Sequence, residues 1–168
     1  DSMVAVRKEV EMLDAYMSLM CYRYSDIIYR SEIEPGALDI EIPNFILQPL
    51  LENSLMHGLK DRRYQGTIIL KIYRNEQDKN ELNIWLIDDG IGIPDDKMAE
   101  LNAYNAKDSE ALYRVQTRTE GDRTHLGVIN VISRLKLYYQ ENAEVIYMRN
   151  ETGGTTVKIK IKTASEET

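Results

Sequence analysis

Three short segments of this chain carry residue types and spacings that could do chemistry. In Ile87-Asp88-Asp89-Gly90-Ile91-Gly92-Ile93 an apolar run ends in a carboxylate, and glycines follow two residues apart. A carboxylate at a strand end can accept hydrogen bonds from an exocyclic amine, and glycine lets the backbone approach a flat ligand closely. The same letters also describe an ordinary Asp-Gly turn. In Leu51-Glu52-Asn53-Ser54-Leu55-Met56-His57, Asn53 and His57 are four apart and share a helix face, with Glu52 beside them. An Asn amide oxygen is a neutral hard ligand for magnesium, which takes few protein ligands when phosphates supply the rest. The plainer reading makes Asn53 a satisfied buried amide and His57 a structural histidine. In Thr124-His125-Leu126-Gly127-Val128-Ile129-Asn130-Val131 a glycine opens a helix after an irregular stretch. Exposed amides and the positive end of the helix dipole favour phosphate there, although glycine also serves as an ordinary N-cap. No glycine is followed by the Lys-Ser/Thr pair of a Walker loop.

The surrounding pattern supplies elements to position these groups. Val6, Val10, Leu13, Met17, Met20, Tyr24 and Ile27 alternate spacings of four and three, the seam of one long helix, with charged residues between. Nothing before this helix can serve as its local partner, so a helical hairpin or a dimer is expected to cover the seam; packing on the chain's own body is the alternative. Pro35-Gly36 marks a turn and places a boundary near Ser31 between this stalk and a compact domain. The segment IPNFILQPLLENSLMHG reads as an apolar helix with Pro49 near its first turn and Gly58 placed to end it. TIILKIYR and ELNIWLID predict one β-hairpin, and AEVIYMRN and TTVKIKIKT a second. Residues 106–125 have no clear period, which in a compact domain marks a functional or mobile loop. From Gly127 through Tyr139 a second strong helix turns Val128, Val131, Ile132, Leu135 and Leu137 mostly to one side.

Composition removes several classes. The 168 residues suffice for one domain with a proper core, and 43% hydrophobic with 29% charged residues matches folded globular chains. No run approaches the ~18 apolar residues of a membrane span, and no secretory signal opens the sequence. The 28 acidic against 21 basic residues give a net charge of -7, which opposes general affinity for nucleic acid. The single cysteine, Cys21, lies in an apolar helical pattern and reads as an inert core residue. The opening Asp1-Ser2 runs almost directly into a helix, as though cut from something longer.

Taken in order, the three segments resemble the boxes of the GHKL ATP-binding fold: LQPLLENSLMHG the N box, DDGIGI the adenine box, and THLGVINVISRLKLYY the glycine box. The wording IPNFILQPLLEN and HLGVINVISRLKLYY is similar to sensor histidine kinases of the LytS/YesM type, over roughly Val6 to Lys162. That resemblance implies a two-layer α/β sandwich with a mixed sheet, preceded by a long helix. Residues 1–30 would be the second helix of an incomplete dimerisation hairpin, 31–163 the ATP-binding catalytic domain and 164–168 a polar tail. It implies ATP and Mg2+ as cofactors: Asp88 would bind the adenine amine, Gly90, Gly92 and Ile93 would shape the adenine pocket, and Asn53 would hold magnesium. His57 and Lys60 would stand near the phosphates, and Gly127 with His125, Leu126 and Val128 would cradle them. Thr155 or Thr156 would support Asp88, and 106–125 would form the lid. The implied partners are a second copy in the full-length kinase and a response regulator receiver domain. Any membrane anchoring would come from upstream segments of a bacterial kinase whose present domain is cytoplasmic.

Departures from the family pattern sharpen the expectation. Neither His57 nor His125 has the context of a phosphoacceptor, so the transferred phosphoryl group is expected to go to a histidine elsewhere. Met56 stands at a position often basic in kinases, with Lys60 as its substitute, and His125 stands where many members of the fold have the first glycine of GxG. ATP-hydrolysing members place a general-base Glu four residues before the Asn, where this chain has Pro49. Asn53 and, beside it, Glu52 are the catalytic candidates, although Glu52 points about 100° from Asn53 around the helix. The alternatives are a non-catalytic nucleotide-binding or dimerisation module, and an ATPase or serine protein kinase of the same fold.

Overall fold

Two stretches of β-branched residues, each doubled back at a polar turn, build the centre of the molecule. The computed structural model describes residues 3–118 and 126–163. Strands β4 (Gly66–Arg74) and β5 (Glu81–Asp88) pair antiparallel, as do β6 (Ala143–Arg149) and β7 (Thr155–Lys162). These are the two hairpins expected from the alternation. β7 then lies beside β5, and β2 (Ile27–Ile33) joins the far side of β4 in parallel, giving a mixed five-stranded sheet in the order β2-β4-β5-β7-β6. A separate short pair is formed by β1 (Met3–Ala5) and β3 (Glu41–Pro43).

One face of the sheet turns Ile68, Leu70, Ile72, Leu82, Ile84, Leu86, Val157, Ile159 and Ile161 inward, all buried in a single core. Helices α1 (Val6–Arg23), α2 (Leu47–Ser54) and α5 (Leu126–Tyr139) supply the facing layer. The opposite face mixes Lys71, Lys158 and Lys160 with Ile69, Trp85 and Ile87, and Lys158 is set over the Trp85 ring at 4.0 Å. The result is the two-layer α/β sandwich that the motifs imply.

The first helix is not a stalk. Val6, Val10, Leu13 and Met17 are buried in the same core as the sheet, with Met20 and Tyr24 packed against it. The seam expected to meet a partner helix closes on α2 and the sheet, because an apolar stripe at three-and-four spacing fits either cover equally well. The division expected between residues 30 and 31 falls inside β2, which is bonded to β4 along its whole length.

Two further expectations change in detail. Residues 109–118, read as part of an aperiodic stretch, form helix α4 (Ser109–Arg118); Leu112 is fully buried and Val115 packs against the core. Leu112 and Val115 are its only aliphatic residues larger than alanine, too few to reveal a period. In α5, Val128, Val131, Ile132 and Leu135 are buried as expected, whereas Leu137 is exposed.

Helix α2 has no side-chain cap of its own. Its cap comes from α1: buried Glu9 accepts the backbone N–H groups of Phe45 and Leu47, the latter at 3.3 Å, placing a carboxylate at the positive end of the helix. From the other side, Arg134 of α5 donates to the carbonyl of Asn44 and, at 2.7 Å, to its side-chain oxygen. The helix start is thus clamped by two elements distant in sequence. Glu9→Ala should cost about 1–3 kcal/mol of stability, read as a fall in the urea midpoint, with Glu9→Gln recovering part of it. An unchanged midpoint in Glu9→Ala would refute the clamp.

Helix α3 (Asp95–Ala103) docks on the outer edge of β6 through two amides. Asn102 accepts from the Tyr147 N–H (2.7 Å) and donates to its carbonyl (2.9 Å); Asn105, just beyond the helix, does the same at Val145 (2.8 and 2.6 Å). Lys136 donates to the carbonyl of Ala143 at 2.7 Å.

Candidate functional site

At the C-terminal end of β5, Asp88 is 2% exposed, and its carboxylate is fixed by the chain around it. One oxygen, Oδ1, accepts the N–H of Gly90 at 2.9 Å and that of Thr155, the first residue of β7, at 3.3 Å. Asn150 holds the Asp88 carbonyl at 2.8 Å, and Ser54 lies beside the carboxylate in the same cleft. Burial raises the carboxyl pKa, the two backbone hydrogen bonds oppose this, neighbouring Asp89 adds to it, and Ser54 opposes it. The group is a desolvated hydrogen-bond acceptor in a fixed orientation.

Three backbone approaches bring the other walls to it. After Ser54 the helix widens into a π turn, Leu55–Leu59, which carries the chain past Gly58. The expectation that Gly58 ends the helix is thereby corrected: the chain continues as a 3-10 turn, Lys60–Arg62, and breaks at Arg63, whose φ is 56°. The role of Gly58 is space. A Cβ there would lie 3.1 Å from Oδ1 of Asp88, and its carbonyl accepts the N–H of Ile91 at 3.0 Å. Gly92 takes a φ of 80° and leaves no room for a side chain against the carbonyl of Gly153. The loop after β5 is thereby pressed between the end of the N-box helix and the β6–β7 turn.

The small cleft so formed is lined by Asn53, Ser54, His57, Gly58, Asp88, Ile93, Tyr147 and Thr155. Asn53, His57, Asp88, Ile93 and Thr155 were expected in it; Ser54, Gly58 and Tyr147 were not singled out. Ser54 was foreshadowed only by its place next to Asn53, whereas Tyr147 comes from a strand whose alternation says merely that its ring points inward. Thr156 faces the other side of the sheet, where its hydroxyl accepts from Asn150 at 3.3 Å, so of the two threonines only Thr155 serves Asp88. Gly90 shapes the loop rather than lining the cleft; a Cβ there would strike the Gly58 carbonyl.

The remaining expected residues lie outside this cleft. Glu52 is exposed, accepts from Gln48 at 3.1 Å and does not line the cleft. Lys60 is exposed on the 3-10 turn. Leu126 and exposed Gly127 form the first turn of α5, and the Val128 side chain belongs to the core, so these residues can offer an anion only their backbone amides. His125 lies outside the described residues. A wider open groove of about 730 Å3 runs past Lys107, Lys136 and Lys160. It lies away from Asp88 and lacks a fixed acceptor of that kind.

The residues present fit an adenine nucleotide with magnesium. A buried acceptor stands in one cleft with Asn53, which offers one neutral oxygen, and Gly58 keeps the helix wall free of a side chain against the carboxylate. Among the described residues no group of three or more His, Cys, Asp or Glu could hold a metal ion.

Fold and cleft together define an α/β nucleotide-binding domain. The chain belongs to the histidine kinase-, DNA gyrase B- and HSP90-like ATPase family, whose model matches residues 39–165. It is 34% identical over 159 residues to Sensor protein LytS of Oceanobacillus iheyensis, covering 94% of this chain and 25% of that protein. With Sensor histidine kinase YpdA of Escherichia coli it shares 25% identity over 164 residues, 96% of this chain and 25% of that protein. The chain thus spans about a quarter of the length of these two relatives. Among solved structures it is similar to the catalytic domain of histidine kinase ThkA, with a TM-score of 0.65 at 12% identity over 97% of this chain and 98% of that one. The histidine kinase domain of a blue-light activated histidine kinase from Erythrobacter litoralis gives a TM-score of 0.60 at 18% identity, covering 95% of this chain and 61% of that one. The two structural likenesses establish the fold.

Proposed function

We propose that this chain is the ATP-binding catalytic domain of a sensor histidine kinase of the LytS/YesM type, which transfers the γ-phosphoryl group of ATP to a histidine of another segment. The observation that carries the reading is the buried, oriented Asp88 carboxylate facing Asn53 and His57 across a cleft closed by glycine contacts. Asp88 accepts the adenine amine, Ile93 and Thr155 bound the ring, and Asn53 supplies one oxygen ligand to magnesium. The metal neutralises charge on the phosphates. In this reading the amides at the start of α5 stabilise phosphate charge. Transfer of this kind depends on positioning and charge stabilisation, so it needs no nucleophile in the domain beyond the incoming histidine. Pro49, packed 3.7 Å from the Cβ position of Gly127, cannot activate water, which disfavours hydrolysis as the main outcome.

In this reading residues 3–163 form one catalytic domain with α1 as part of it, and the dimerisation hairpin is contributed by other segments. The whole kinase works as a homodimer, passes its phosphoryl group on to a response regulator receiver domain, and is held at the membrane by segments other than these. Among the described residues no helix is long and apolar enough to cross a membrane.

Titration calorimetry with ATP, with and without magnesium, tests the core of the proposal: binding strengthened by magnesium is expected, and a folded chain that binds no ATP overturns it. Asn53→Ala separates binding from transfer. ATP affinity should change by no more than about threefold, while phosphoryl transfer to a supplied hairpin histidine falls about a hundredfold, the scale for losing one stabilising group at a developing charge. Labelling of His57 itself, or magnesium-independent transfer by Asn53→Ala, would contradict these assignments. Binding without any transfer would leave a nucleotide-gated module instead of a kinase.

A further inference from the structure

The two outer strands of the sheet differ in what their free sides offer. Along β6 the outward backbone groups of Val145 and Tyr147 are taken by Asn105 and Asn102. Along β2 the ladder with β4 shows which groups point outward. The carbonyl of Asp26 accepts the N–H of Gly66 at 3.2 Å, and the N–H of Glu34 donates to Ile72 at 2.9 Å, so Ile28, Arg30 and Glu32 between them turn their backbone groups toward β4. The N–H and C=O groups of Tyr29, Ser31 and Ile33 therefore point away from the sheet, and among the described residues nothing is bonded to them.

The side chains follow the same alternation. Tyr29 and Ile33 lie on the helix-covered face, packed against the core yet only half-buried, with exposed Ser31 between them. Ile28, Arg30 and Glu32 are exposed on the other face, where Glu32 meets Lys71 of β4 at 3.5 Å. The helix layer thus stops short of β2 on one face, and one charge of each sign stands two residues apart on the other.

We propose that β2 pairs with itself: a second copy of this chain adds its own β2 antiparallel, about a two-fold axis through Ser31, and joins the two sheets into one. In that register Ser31 exchanges backbone hydrogen bonds with Ser31 of the second copy, and Tyr29 with Ile33 of the second copy, which uses the outward groups of all three. Arg30 then stands directly opposite Glu32 of the second copy, and Glu32 opposite Arg30 of the second copy, in the non-hydrogen-bonded pairs where side chains come closest. On the helix side Tyr29 and Ile33 cover each other's open flanks. Charges on an outer strand ordinarily keep other strands away. Here they select one alignment: sliding a copy by two residues sets Arg30 against Arg30 or Glu32 against Glu32, and sliding by one sets outward backbone groups against inward ones. Sign and backbone alternation agree at a single register, which commits this strand to a second copy of the same chain, and a two-fold contact closes at a dimer. None of the described residues of β2 lines the Asp88 cleft, so the contact is independent of what that cleft binds.

Sedimentation equilibrium on the whole chain tests the pairing, with far-ultraviolet circular dichroism as the check that each variant is folded. Wild type should form a dimer as its concentration rises toward millimolar. Arg30→Glu and Glu32→Arg each set like charges opposite one another twice and should weaken self-association about tenfold or more. Both should stay folded, because an exposed pair such as Glu32 with Lys71 contributes little to stability. Mixed in equal amounts, the two variants should associate with each other about as well as wild type does, since the introduced glutamate of one faces the introduced arginine of the other. Ser31→Pro removes an outward N–H, leaves the bonds to β4 in place and should give a monomer with little change in melting temperature. A wild-type chain that stays monomeric at millimolar concentration would overturn the proposal, as would a dimer that Arg30→Glu and Ser31→Pro leave intact. Folded single variants that remain apart when mixed would overturn the register.

Discussion

Leu13→Asp should unfold the domain outright. Leu13 is 1% exposed at the centre of the α1 stripe and shares one core with α2 and the sheet. Truncation there to Ala already removes about 2–5 kcal/mol, and a carboxylate with no buried partner adds a desolvation cost of several kcal/mol more. The sum is comparable with the whole stability of an ordinary domain, about 5–15 kcal/mol. Leu19 on the same helix is 71% exposed, and Leu19→Asp should change stability by less than about 0.5 kcal/mol. Urea denaturation followed by far-ultraviolet circular dichroism distinguishes the two. A folded Leu13→Asp chain with an unchanged midpoint would mean that the stripe is covered by another helix after all, and the substitution would then alter association instead.

The second large effect is expected at Asp88, where function and stability should separate. In Asp88→Asn the N–H groups of Gly90 and Thr155 still require an acceptor at the Oδ1 position, so the side-chain oxygen stays there and the new NH2 takes the place facing the ligand. A donor then opposes the adenine amine. The loss of about 1.5–3 kcal/mol for a charged hydrogen bond corresponds to a more than tenfold weaker ATP complex. Thermal stability at pH 7 should hold or rise. The sign follows from the raised pKa: burial disfavours the ionised form in the folded state, so the contribution of Asp88 to stability is fully present below its unfolded pKa and is lost as pH rises through its folded pKa. Removing the charge relieves that cost, a trade commonly found at binding sites. For the same reason ATP affinity should weaken on acidification at a pH above the ordinary aspartate range. Unaltered ATP affinity in a folded Asp88→Asn chain would remove Asp88 from the base site.

How much of this was legible in the sequence follows from the range of each interaction. The hairpins of β4 with β5 and β6 with β7 were readable because strand alternation and turn residues are local signals. Asp88, Asn53 and the glycines were readable as types at fixed spacing. The partner of α1 was not, since Val6, Val10, Leu13 and Met17 specify an apolar groove of a certain width and say nothing about what fills it. Glu9 looked like one more charge on a polar face, yet it caps a helix that begins 38 residues further on. Gly58 reads as a helix terminator from its neighbours alone; its actual requirement is set by the Asp88 carboxylate, which arrives from another strand. Tyr147 was silent for the same reason: an inward-facing tyrosine is ordinary, and only the convergence of β6 with α2 and the end of β5 brings it to the cleft.

The amides of Asn102 and Asn105 have a consequence for how copies of this domain behave at high concentration. With Lys136 they occupy the outward backbone groups of Val145 and Tyr147 and the carbonyl of Ala143, so the β6 border of the sheet has no template to offer an incoming strand over that span. The opposite border, β2, carries charged Arg30 and Glu32 and, among the described residues, no such seal. Fibrous growth by strand addition needs both borders of every copy, because each unit must receive one neighbour and template the next. A sheet stoppered on one side can pair through the other, and any such assembly ends at two copies.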